Sequence, residues 1–140
     1  MDVDLKLDAT QVQELIRAGL PAAGKSRIAV EEIAPGRARI RLPYRESMLR
    51  PGGVISGPVL FGAADTAMFA AVLAHCGLEL TSVTTDTQIR FLRGAPPGDV
   101  VAESTVVRLG RRLIVMDTAI WTDDAQRPAA RASGSYLRPA

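Results

Sequence analysis

At 140 residues, with seventeen Lys and Arg against fifteen Asp and Glu and a formal net charge of +2, the chain has the length of one ordinary domain able to bury a substantial core. One histidine and one cysteine argue against a metal cluster, an internal disulfide, and Ser-His-Asp or Cys-His catalysis. The positive charge is nearly all dispersed arginine and aromatics are only 4%, which gives no support to nucleic-acid binding.

The start MDVDLKLDAT is acidic and unlike a signal peptide, so a reducing cytoplasm is the expected compartment. Asp8 or Thr10 can cap a short helix over 9–20, with Gln13 placed to complete a capping box from Thr10. Its stripe of Val12, Leu15, Ile16 and Leu20 predicts packing against another element. Ser26–Ile33 and Arg37–Leu42 read as a hairpin around Ala34-Pro35-Gly36, and the alternation of Ala38, Ile40 and Leu42 with arginines marks a strand with one wet face.

From Pro51 to Leu78 the only formal charge is Asp65. Gly52, Gly53, Gly57 and Pro58 make a bent entry, and Ser56 is the expected N-cap. Val59 to about Ala74 is apolar or small on every face, which predicts a helix enclosed by protein, closed by Gly77 as a left-handed cap. The run is long enough for a membrane span, but its Gly/Pro entry, weakly apolar alanines and central acid favour a core helix and no membrane partner. His75 is expected to interact with the helix C-terminus, and Cys76 to act as a small buried hydrophobe.

Beyond it, Thr81–Leu92, Val100–Leu109, Leu113–Trp121 and Ala129–Leu137 read as four strands in meander order. The whole is α+β: about six antiparallel strands in a curved sheet wrapped around the long helix, with a short N-terminal helix, in one domain over 1–140.

An unpaired buried acid is costly, so Asp65 must be paired, solvated through a cleft, or chemically employed. A carboxylate can attack an acyl carbonyl, forming a mixed anhydride, or serve as general base for water. The oxyanion that forms needs a donor, worth roughly 3 kcal/mol when preorganised, and the Gly57 N–H at the helix start is the best candidate. Eight residues of helix separate Gly57 from Asp65, about 12 Å along the axis, too far to serve one carbonyl. The two must act from different chains, in a two-fold dimer with antiparallel central helices.

The segments SGPVLFGAADTA, TTDTQIRFLRGAPPGD, RLGRRLIVMD and ARASGSYL, behind an opening hairpin, resemble the hotdog fold, and more narrowly the PaaI-type branch of the acyl-CoA thioesterases, over residues 26–138. The resemblance implies a homodimer with two identical interface sites, and leaves a homotetramer open. The family's His-Gly-Gly turn is here Ser56-Gly57-Pro58, and Arg50 stands where a carbonyl-polarising Asn or Gln often precedes it.

Asp65 and Gly57 are thus the candidate catalytic pair, with Thr84 or Thr85 as hydrogen-bond donor to the carboxylate or attacking water, as the resemblance implies. Arg93, Arg111 and Arg112 are candidates for coenzyme A phosphates, Arg50 for Asp65 or an anionic group, Ser56 for a substrate hydrogen bond, and Phe61 and Phe69 for tunnel walls. The expected function is hydrolysis of a small or medium acyl-CoA, with coenzyme A as part of the substrate and no separate cofactor or metal. The alternative is an acyl-CoA or small-ligand binding protein without turnover. A hydratase is disfavoured because related enzymes need a positioned histidine, and His75 lies at the wrong end of the helix.

Overall fold

The computed structural model describes residues 3–78 and 81–139, leaving Met1, Asp2, Glu79, Leu80 and Ala140 of the expected 1–140 domain outside the described residues. Helix α1 (Ala9–Gly19) is capped by a box of Asp8 and Gln11 rather than Thr10 and Gln13. Gln13 is instead drawn across to the sheet, where its side chain accepts the Val30 N–H at 2.9 Å. A short helix α2 (Pro21–Ser26) follows, so the first strand starts later than Ser26.

Strands β1 (Ala29–Ala34) and β2 (Arg37–Leu42) form the expected hairpin, followed by a 3-10 turn (Glu46–Met48) and a two-stranded ribbon of β3 (Leu49–Arg50) and β4 (Val54–Ile55). The central helix α3 runs Gly57–Cys76, then β5 (Val83–Phe91), β6 (Val100–Leu109), β7 (Leu113–Trp121) and β8 (Ala130–Leu137). The six long strands make one antiparallel sheet in the order β1-β2-β6-β7-β8-β5. The expected four-strand meander is therefore corrected: β6, β7 and β8 follow one another, but β5 pairs with β8 at the far edge.

Helix α3 touches all six strands. Ala63, Ala64, Ala67, Met68 and Ala70 to Ala74 are buried against inward residues such as Ile40, Ala102, Ile114, Met116, Ile120 and Ala132. Small side chains let the sheet close tightly on the helix. By length and hydropathy α3 would pass for a membrane span, yet 61% of that window is buried in protein. One stripe stays open: Pro58, Phe61 and Gly62 are exposed and Asp65, Thr66 and Phe69 half-buried.

Gly77 closes α3 with φ 87° and ψ −154°, outside the left-handed helical region expected for it but still in a region only glycine occupies easily. His75 does not simply face the helix dipole. It is buried, its Nε2 accepts the Gly36 N–H at 2.8 Å, and its Nδ1–H donates to the Ala71 carbonyl at 2.8 Å, which pins the β1–β2 turn to the helix. Cys76 is half-buried against the core.

Candidate active site

Strand β5 lies along α3 and presents its inward residues to the helix in sequence. Near the helix start, a Cβ at Gly57 would stand 3.3 Å from Phe91 Cζ. One turn on, Phe61 shares a cleft with Ile89 and Phe91. Two turns on, the Thr84 hydroxyl donates to Asp65 Oδ1 at 2.9 Å.

A bulge between Thr84 and Asp86 decides which threonine meets the acid. Strict alternation from Phe91, Ile89 and Thr87 would turn Thr85 inward; the extra residue brings Thr84 there instead. Thr85 faces the other side of the sheet, its hydroxyl 2.8 Å from Ser135 Oγ, so the expectation of a Thr85 contact to Asp65 is not met.

Asp65 has a second donor that the sequence reading missed. Tyr136 of β8 donates to Asp65 Oδ1 at 2.9 Å and approaches the Asp65 carbonyl oxygen at 3.2 Å. Tyr136 is buried, 3% exposed, and stacks on Phe69 with ring centroids 6.1 Å apart. Burial first, and the Asp65 charge second, push its phenol far above the ordinary range, so it stays protonated and donating. Arg50 does not pair with Asp65.

At the other end of α3, Ser56 occupies the N-cap position without a side-chain capping bond, so the expected hydroxyl cap is corrected. Its N–H donates to the Met48 carbonyl at 2.8 Å and its own carbonyl accepts the Leu60 N–H at 3.2 Å. The Ile55 N–H donates to the Ala95 carbonyl at 3.0 Å, fastening the 92–99 segment over the helix start. Between them lies a cleft of about 380 Å³ whose walls include Arg50, Gly57, Leu60, Phe91, Arg93 and Ala95. The Gly57 N–H has no acceptor among the described residues.

Arg93 is already engaged, donating to Asp123 at 2.7 Å and to the Arg127 carbonyl at 3.0 Å, and it holds the Asp123 carboxyl below its usual range. Arg111 and Arg112 are exposed in the β6–β7 turn, at the end of the sheet where Leu113 pairs with Leu137 and Leu137 with Val83. That is the Thr84 end. Arg50 and Arg93 belong to the Gly57 end, so the arginines divide between two places. Among the described residues no cluster of His, Cys, Asp and Glu is arranged to hold a metal.

Comparison with known proteins adds the family. Residues 52–129 match the model of the thioesterase superfamily. A candidate esterase of Saccharolobus solfataricus is 30% identical over 110 residues, covering 79% of this chain and 72% of that protein. A candidate thioesterase of Silicibacter sp. TM1040 is 31% identical with a TM-score of 0.89, covering 99% of this chain and 96% of that one. The E. coli PaaI protein of the phenylacetic acid degradation operon is 25% identical with a TM-score of 0.80, covering 94% of each chain. A sheet closed around one buried helix, an acid on that helix's open stripe, and these likenesses agree: the chain is a hotdog-fold hydrolase belonging to the thioesterase superfamily.

Proposed function

We propose that this hotdog domain hydrolyses a small or medium acyl-CoA in a homodimer, with Asp65 of one subunit and the Gly57 N–H of its partner acting on one thioester, and with no separate cofactor. The observation that carries the reading is Asp65 itself. It is the only carboxylate on α3, it lies on the open stripe of an otherwise enclosed helix, and two hydroxyls hold it in place.

Eight residues of α3, about 12 Å, separate it from the helix start, where Gly57 lines the cleft together with Arg50. An antiparallel pairing of two α3 stripes removes that separation by setting each Gly57 against the other copy's Asp65. The same pairing covers β5, whose outer edge has no neighbour among the described residues and which exposes Val83 at 54% and Phe91 at 55%. The carbonyl oxygen would then meet the Gly57 N–H and helix dipole while the acid acts from the opposite side.

Two balanced routes follow. In one, Asp65 attacks the carbonyl carbon, the C–S bond breaks to release the CoA thiolate, and water then opens the anhydride. In the other, Asp65 takes a proton from water as the water oxygen bonds to the carbonyl carbon, the C–S bond then breaks, and that proton passes to the departing thiolate. Exposed Arg111 and Arg112 remain candidates for the nucleotide phosphates. Arg93 could bind them only in exchange for Asp123.

The test is CoA release from a panel of acyl-CoAs, phenylacetyl-CoA among them, by wild type, Asp65→Asn and Asp65→Ala. Both variants are expected to bind acyl-CoA while turnover falls by about 10³-fold or more. Equal rates in wild type and Asp65→Ala would remove Asp65 from the mechanism. The second reading, binding without turnover, is favoured by one feature: Pro58 takes an N–H away from the helix start. Tight acyl-CoA binding with no release across the panel would select it.

A further inference from the structure

We propose that Tyr136 is a positioning residue for Asp65: its hydroxyl and that of Thr84 both hold Oδ1, so that Oδ2 alone is presented to the thioester or to the attacking water. The proposal rests on Asp65 being the reactive acid, as above, and adds which of its oxygens reacts and what fixes it.

Both donors converge on one atom. Tyr136 and Thr84 each lie 2.9 Å from Oδ1, and no described residue bonds Oδ2. A carboxylate oxygen has two lone-pair directions, so two donors fill Oδ1 and leave the acceptor capacity of the group on Oδ2. The Tyr136 proton is also shared with the Asp65 carbonyl at 3.2 Å, which ties the side chain to its own backbone and restrains its rotation.

The donor is itself fixed. The Tyr136 ring is buried and lies nearly parallel to Phe69, with an interplanar angle of 14°. Tyr136 belongs to β8, which pairs on one side with β7 and on the other with β5, the strand that carries Thr84. A buried tyrosine needs a partner for its hydroxyl, and a purely structural contact would satisfy that need. Kinetics distinguish the two.

Tyr136→Phe keeps the stacked ring and removes only the hydroxyl. We expect kcat for CoA release to fall about tenfold with KM nearly unchanged, the rate equivalent of one hydrogen bond to a charged group. Thr84→Val, which strips the other donor from the same oxygen, should act in the same direction. If Tyr136→Phe keeps the wild-type kcat while Asp65→Asn is inactive, the positioning role is overturned and the proposed function stands. If Asp65→Asn is as active as wild type, the reading beneath it fails instead.

Discussion

Gly134 of β8 sits close against both the central helix and β5. A Cβ there would stand 2.9 Å from Met68 Sδ, 3.0 Å from the Asp86 carbonyl oxygen and 3.0 Å from Thr87 Oγ1. Met68 is fully buried and the Asp86 carbonyl is backbone, so strand β5 itself would have to shift. Gly134→Ala is expected to cost about 1–3 kcal/mol, read as a Tm lower by roughly 3–10 °C, and to lower kcat as well because β5 carries Thr84. At this scale Asp65 was legible in the sequence because a lone acid in a neutral run needs an explanation. Its neighbours were not. Choosing between Thr84 and Thr85 needs the bulge, which changes which side of the strand each residue takes and leaves no mark in residue type. Tyr136 reads as one more inward residue of an alternating strand until the fold brings it beside a helix 71 positions earlier.

The outer face of the β1–β2 hairpin shows what the arginines of RARIRL do. Glu31 of β1 accepts from Arg39 at 3.0 Å and from Arg41, while Glu32 pairs with Arg37 and Glu103 of β6 with Arg39 at 3.4 Å. Burial pushes the Glu31 carboxyl up, but the hydrogen bonds from Arg41 and Arg39 outweigh it and hold the carboxyl below its ordinary 4.5. A depressed acid stabilises the fold above its unfolded pKa and loses that contribution as pH falls through the folded one. Glu31→Gln should therefore be less stable than wild type by roughly 1 kcal/mol near neutral pH, with the gap closing below about pH 4. Urea titrations at the two pH values check it, and a constant gap would place the effect in packing. Among the elements, both hairpin strands and the central helix were readable from periodicity and from the Gly/Pro entry. Sheet order was not, because connection length does not reveal it: eight residues separate β5 from β6, which do not pair, and eight also separate β7 from β8, which do.

For the whole molecule, shared sites have an arithmetic consequence. If each site takes the Gly57 N–H from one copy and Asp65 from the other, subunits carrying Asp65→Ala and Gly57→Pro, which removes that N–H at a helix position open to proline, are each inactive alone. Mixed by co-expression, half of the dimers are heterodimers, and each has one intact site of two. Activity should return to roughly a quarter of the wild-type rate. No recovery, with heterodimers verified by mass spectrometry, would place each site within one subunit. The edge position of β5 bears also on how the protein is made. In the proposed dimer, a newly synthesised chain that has yet to meet its mate offers along that strand a row of amides and carbonyls without sheet partners among the described residues, flanked by Val83, Phe91 and Leu92, onto which any other unfinished chain can zip. Refolding yield should therefore pass through a maximum with concentration, limited by slow encounter in dilute solution and by clumping in crowded solution.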